Sequence, residues 1–320
     1  MAGFPDPARR PGPRRRVESP DPSRRSPVAN AGKLSRPFRF DRRRTFRMKD
    51  VNPRDTGGLS CEKEASKALQ KGVDRLRKMQ EKLYAQDRWA LLLVFQAIDA
   101  AGKDGTIKHV MSGVNPSGCQ VFSFKAPSAE ELDHDFLWRT TRCLPERGRI
   151  GIFNRSWYEE VLVVRVHPEI LERQKLPAEL ITKEIWSQRH EDIRAFERYL
   201  SRNGVAVVKF FLTVSKEEQK ERFLARLDEP EKHWKFELRD VREREHWDRY
   251  MKAYEDAIRE TAAPWAPWYV IPADHKWFTR LAVADAVVDA METLDLEYPQ
   301  IGAAKKTELA EARRLLEEES

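Results

Sequence analysis

The sequence predicts an α/β domain: a central parallel β-sheet with helices on both faces. Three observations carry this expectation. Short apolar runs alternate with stretches of helical spacing from residue 62 to residue 294. One apolar run, 90–95, passes directly into a small-residue loop, a Gly-Lys pair and a helical pattern. A second run, 149–153, ends in the polar cluster Asn154-Arg155-Ser156, as strands do where an open sheet forms a crevice beyond their carboxyl ends.

Taken in order, residues 1–36 are rich in Pro, Arg and Ser. They offer too little apolar surface to offset the entropy of ordering, so they are expected to be disordered, with order starting near Arg47. Residues 50–58 read as a turn-rich arm. Ala65, Leu69, Val73, Leu76, Met79 and Leu83 recur at helical spacing over 62–86. The run 90–95 is apolar without alternation, the pattern of a strand buried on both faces. Further strands are expected at 120–124, 149–153, 205–212 and 268–271, and helices at 103–112, 128–143, 177–202, 215–227, 238–261 and 277–294. Residues 303–319 read as a charged terminal helix. With no internal repeat and no linker after residue 50, the expected organisation is a tail (1–46), one domain (47–300) and a terminal helix (301–320).

The stretch 92–108, LLVFQAIDAAGKDGTIK, has the strand–loop–helix context of a phosphate-binding loop. Backbone N–H groups of such a loop and of the helix N-terminus face an anion, and the lysine adds a mobile positive charge. The candidates are Ala100, Ala101, Gly102, Lys103, Asp104, Gly105 and Thr106, with Lys108 further along the helix. The strict GxxxxGK[ST] pattern fails twice, since Ala97 replaces its first glycine and Asp104 its hydroxyl residue. Asp99 inside an anion cradle implies an intervening cation, Mg²⁺ with Mn²⁺ as the alternative. The competing reading of Asp99 is a loop-capping carboxylate.

At the second strand end, Asn154 and Arg155 are expected to face the same crevice, with Arg155 suited to charge on a transferring phosphoryl group. Tyr158, Glu159 and Glu160 follow as candidate nucleotide contacts, and Glu160 as a second metal ligand. The alternative for the two acids is the first turn of a helix. Residues 222–249 mix eight cationic side chains, Arg222, Arg226, Lys232 and Lys235 among them, with Trp234 and Trp247. This run reads either as a mobile lid at about 222–250 bringing cations over phosphates or as a solvated helix pair laced with ion pairs.

The formal net charge is +7, but residues 1–50 hold 15 Lys and Arg against 5 Asp and Glu, so the basic excess belongs to the tail. Anion binding in the body must therefore come from local clustering. The three cysteines have no CxxC spacing and the seven histidines no HExxH, which argues against a disulfide framework or a zinc site. Neither a membrane-spanning apolar run nor a secretory leader is apparent, so a cytoplasmic protein is expected.

The chain resembles the polyphosphate kinase 2 family over roughly residues 48–300. The resemblance rests on FQAIDAAGKDGTIKHVMSGVNPSGCQVFSFKAPSAEELDHDFLWR (95–139), ERGRIGIFNRSWYEEVLVVRVHPE (146–169), FLARLDEPEKHWKF (223–236) and APWYVIPADHKWFTRL (266–281). It implies a P-loop kinase-like three-layer sandwich with a helical lid, a homo-oligomer, dimeric or tetrameric, and Mg²⁺-dependent, reversible phosphoryl transfer between inorganic polyphosphate and AMP, ADP or ATP. No nucleic acid or membrane is required. By resemblance, Asp99 is the metal-binding aspartate and Lys103 the P-loop lysine. Asn154 stands where one-step members carry aspartate, and Glu159 falls on an acid linked to nucleotide choice. Arg226, Lys232, Trp234 and Lys235 match the lid's basic motif. The FNRS strand end is similar to members that phosphorylate both AMP and ADP. Ala97 in place of glycine and Glu160 where aspartate is commoner are departures. The rival readings are an ATP-dependent nucleoside monophosphate kinase on the same core, and a binding protein whose basic tail grips nucleic acid.

Overall fold

The computed structural model describes residues 32–319, with the backbone alone for Lys232 and Lys235. Six strands form one sheet in the order β1-β6-β5-β2-β4-β3. They are β1 (Arg39–Phe40), β2 (Ala90–Gln96), β3 (Cys119–Ser123), β4 (Ile150–Asn154), β5 (Val205–Thr213) and β6 (Trp268–Pro272). All pairings are parallel except β1 with β6. The main helices are α1 (Glu62–Gln86), α2 (Lys103–Val110), α3 (Ile185–Arg202), α4 (Lys216–Asp228), α5 (Leu238–Arg242), α6 (Trp247–Thr261), α7 (Lys276–Glu292) and α8 (Ala303–Glu318).

Period-two alternation divides the central strand between two cores. Leu91, Leu93 and Phe95 of β2 join the layer of α1, α2 and α7, where Leu76, Leu83, Phe278 and Val287 pack. Leu92 and Val94 face the layer of α3 and α6, with Trp157, Ile193, Phe211 and Trp268. Each fully buried Leu or Phe contributes roughly 1.5–3 kcal/mol, which explains why β2 lacks any polar alternation. A buried polar network crosses the second core. Lys209 of β5 is fully buried and donates to Glu197 Oε2 at 2.6 Å, Tyr158 OH at 3.1 Å and the Thr261 carbonyl at 3.0 Å.

Two expectations are corrected. The part of the expected tail at 1–31 lies outside the described residues, but residues 32–46 are packed against the domain. Phe46 is 1% exposed, Phe38 sits edge-on to Phe278 at 5.7 Å, and β1 extends the sheet antiparallel beside β6. These two aromatic anchors outweigh the polar composition around them. The expected long helices at 128–143 and 238–261 are instead broken into short pieces, Ala129–Leu132 with Trp138–Thr141, and α5 with α6 separated by a 3-10 turn at Glu243–His246.

Candidate active site

The loop 97–102 leaves the carboxyl end of β2 between the ends of β4 and β5. Its shape needs two left-handed residues, Gly102 at φ +98° and Ala100 at φ +63°. Glycine takes that conformation freely, whereas alanine does so at a cost of roughly 1–2 kcal/mol. The strain is held by bonds to the loop's carbonyls. Arg222 Nη1 donates to the carbonyls of Ala100 and Ala101, both at 3.0 Å, and Gln219 Nε2 donates to that of Asp99 at 2.9 Å. Arg222 also reaches back through Nη2 to the carbonyls of Ala273 (2.5 Å) and Asp274 (3.0 Å) at the end of β6. The carbonyls of Asp99, Ala100 and Ala101 are thus engaged by α4. The N-terminus of α2 has no side-chain cap, so its first N–H groups remain available to an anion.

Around this cradle, polar side chains from two strand ends converge. Lys103 is half-buried and its Nζ donates to the Ala97 carbonyl across the loop at 2.8 Å. Burial lowers its pKa and neighbouring Arg155 lowers it further, against the opposing pull of Asp99, Glu159 and Asp104. Arg155, itself left-handed at φ +65°, pairs with Asp99 Oδ1 at 3.1 Å and approaches Glu159 Oε2 at 3.6 Å. Glu159 and Asp99 hold its pKa above the ordinary value despite burial. Gln96 Nε2 donates to Glu159 Oε1 at 2.8 Å, and Asn154 Nδ2 donates to Asp104 Oδ1 at 2.6 Å. Asp99, Asp104, Arg155 and Glu159 all act electrostatically on Lys103, and Asn154 joins this cluster through Asp104. Ala97 causes no conflict. Its backbone stays out of the left-handed region and its methyl group packs in the first core.

The family profile described as Polyphosphate kinase 2 (PPK2) matches residues 60–299. The chain belongs to the polyphosphate kinase 2 family. Among similar proteins, an ADP-polyphosphate phosphotransferase from Rhodopseudomonas palustris is 56% identical over 78% of this chain and 86% of its own. An AMP/ADP-polyphosphate phosphotransferase from Meiothermus ruber is 46% identical over 80% of this chain and 92% of its own. A crystal structure of Polyphosphate Kinase 2 from Arthrobacter aurescens TC1 superposes with a TM-score of 0.76 at 39% identity, covering 84% of this chain and 94% of that one.

Within this family framework, some expected site residues lie elsewhere. Tyr158 is fully buried, and its hydroxyl bonds Glu197 and Thr261, both at 2.8 Å; it belongs to the second core, not to a nucleotide contact. Glu160 is 5% exposed, paired with Arg189 at 3.1 Å and bonded by Gln174. The 3-10 turn Trp157–Val161 points Glu160 into that interior pair, so it is not a metal ligand of the cluster. Burial pushes the Glu160 carboxyl up against the pull of Arg189. Lys108 is exposed in the last turn of α2, about 7 Å along the axis from Lys103, and complements the helix C-terminus instead. Thr106 is 4% exposed and packed below the loop.

In the lid region, Arg222 proves to be a buried clamp rather than a lid cation. Arg226 is half-buried, its guanidinium 5.4 Å from the centre of the Phe223 ring. The side chains of Lys232 and Lys235 lie outside the described residues. Sequence reasoning missed Gln96 and Gln219. Gln219 also accepts from Arg244 Nη1 at 2.7 Å, so one amide ties the lid to the loop. The available signal was helical spacing, because Gln219 and Arg222 share the inward face of α4 with Phe223.

Proposed function

We propose that this crevice transfers a phosphoryl group from inorganic polyphosphate to AMP and ADP. The observation that carries the reading is the cluster itself: an uncapped helix N-terminus, Lys103 and Arg155 face one cradle whose carbonyls are fixed from behind. The names of the similar proteins supply donor and acceptors. Lys103 leaves the Ala97 carbonyl for an outer phosphate oxygen, gaining a charged acceptor for a neutral one. Arg155 stabilises the charge spread over the transferring group, and the acceptor phosphate, already anionic, attacks in line with little acid–base help.

The donor set at the cluster, Asp99 with Asp104 and Glu159, is oxygen-only, which suits Mg²⁺ or Mn²⁺. Among the described residues no three acidic, His or Cys side chains form a ready cage, so a cation here would be held by one carboxylate together with phosphates and water. Asp99 would hold it, and when bound it supplies charge neutralisation between donor and acceptor phosphates. A cytoplasmic homo-oligomer belongs to the same proposal.

The test is transfer to AMP and to ADP with polyphosphate as sole donor, followed by chromatography. ADP followed by ATP from AMP is the expected result. Transfer from ATP but not from polyphosphate would replace the reading with a nucleoside monophosphate kinase. Lys103→Ala is expected to lower kcat roughly a hundred- to thousandfold with the melting temperature unchanged. Near-normal turnover removes the P-loop assignment.

A further inference from the structure

A second concave surface lies outside the cluster, on the outer side of α3. It is a groove of about 920 Å³ lined by seven cationic and three acidic side chains. The body of the chain is otherwise slightly acidic, so this concentration is local. Arg194, Arg198 and Arg202 follow one another at four-residue intervals, which aligns them along one face of α3 over about 12 Å.

Of the three acids in the groove, Glu191 makes no ion pair with this stripe and the other two are paired elsewhere. Asp256 is taken by Arg165 (2.8 Å) and Lys252 (2.9 Å). Glu260 is shared by Arg43 and Arg44 from the N-terminal arm. Among the described residues no carboxylate lies within ion-pair distance of Arg194, Arg198 or Arg202. Arg194 and Arg198 instead lie over the Trp265 ring, their guanidinium carbons 4.9 and 5.1 Å from its centre, while both side chains line the groove. A second observation points to a ligand. His190, one turn before Arg194, is 4% exposed and lines the groove, yet its Nε2 has no hydrogen-bond partner; neither has the buried Nε of Arg194. Unsatisfied buried polar atoms of this kind are uncommon without a missing partner.

The direction of the groove follows from topology. A two-residue turn joins α3 to β5, so Arg202 lies at the amino end of the parallel strands. The other end of α3, with Trp186 and nearby Arg165, lies at the carboxyl end, where the P-loop opens. A ligand that fills the stripe must be long, repetitively anionic and rich in hydrogen-bond acceptors.

We propose that this groove holds the distal part of a long polyphosphate chain whose terminus is at Lys103, a chain-holding site separate from the catalytic cluster. The proposal rests on the polyphosphate reading of that cluster. It predicts that the chain's affinity grows with length beyond what the P-loop alone can contact.

The experiment compares the wild type with Arg194→Gln/Arg198→Gln/Arg202→Gln by direct calorimetric titration with long-chain polyphosphate and with tripolyphosphate. Removing three phosphate contacts is expected to weaken the long chain about tenfold or more at moderate salt and to flatten its salt dependence. Tripolyphosphate affinity, the KM for ADP and the melting temperature stay unchanged. The triple Arg→Lys variant, which keeps the charge, restores most of the long-chain affinity. Long-chain affinity within about twofold of wild type in the Gln variant, or an equal loss for tripolyphosphate, overturns the proposal. So does a change of oligomeric state by light scattering with long-chain affinity intact, which would make the groove an interface between copies. Because binding is read directly, the groove stands or falls on this titration whether or not turnover from polyphosphate is seen.

Discussion

Replacing Arg222 with alanine removes the brace behind the phosphate loop. One guanidinium, 8% exposed, makes five hydrogen bonds: to the carbonyls of Ala100, Ala101, Ala273 and Asp274, and through Nε to Glu218 Oε1 at 2.8 Å. A hydrogen bond from a charged donor contributes about 1.5–3 kcal/mol, and a buried carbonyl left without a donor costs about 1–3 kcal/mol. The five do not add, because water can re-enter at the loop and Glu218 is free to turn outward. A net loss of about 3–5 kcal/mol follows, comparable with breaking other buried charged networks. For a chain of this size that corresponds to roughly 5–8 °C in Tm. Activity is expected to fall further than stability alone dictates. The left-handed Ala100 is held only while its carbonyl is bonded, and its relaxation would turn the loop's N–H groups away from the phosphate. Urea unfolding followed by tryptophan fluorescence measures the first effect, and turnover under conditions where the variant is fully folded measures the second. Arg222→Lys should recover less than half of either, since a compact ammonium cannot span β6 and the loop together. A variant Arg222→Ala within about 1 kcal/mol of wild type and with unchanged turnover would refute the brace.

Two further outcomes follow from the buried groups. Lys209→Met is expected to destabilise by about 3–5 kcal/mol because Glu197 is left charged and unpaired in the core, while Lys209→Met/Glu197→Leu should regain most of that loss; equal stability of the single and double variants in urea would remove the pairing argument. Burial, reinforced by Arg165, lowers the His190 pKa to about 4. A base with a depressed folded pKa leaves the unfolded chain binding more protons between that value and about 6.5, so stability is fully present above this window and is lost as pH falls through it. The ligand-free wild type should lose up to about 3 kcal/mol from this group between pH 6.5 and pH 4, and His190→Gln should show a flatter acid limb; identical limbs would contradict the burial.

What the sequence allowed one to read depended on whether a residue's destination is set by its neighbours in the chain. The helix at Glu62–Gln86 was legible to the residue because Leu69, Val73, Leu76 and Leu83 all fall on one face. The loop and its lysine were legible because a buried strand, small residues and Gly-Lys leave the backbone few alternatives. β1 was not, since two residues beside a run of arginines have no pattern of their own and are held by β6. Glu159 and Glu160 differ by one position in a 3-10 turn, and only tertiary packing decides that the first meets Arg155 and the second Arg189.

The same limit applied to the cations, and the structure separates them by how well they are satisfied without substrate. Arg222, Arg189 and Lys209 each have several fixed acceptors, so no ligand can offer them more than they already have, and they act as structure. Lys103 holds only a neutral carbonyl, at the cost of a lowered pKa from burial. Arg155 divides itself between two carboxylates, one at 3.1 Å and one at 3.6 Å. A phosphate improves on both arrangements, giving Lys103 a charged acceptor and Arg155 a planar, bidentate one. Incomplete satisfaction in the free protein is therefore what distinguishes a group reserved for substrate. By that criterion Arg194, Arg198 and Arg202, with no carboxylate in ion-pair range among the described residues, fall with Lys103 and not with Arg222.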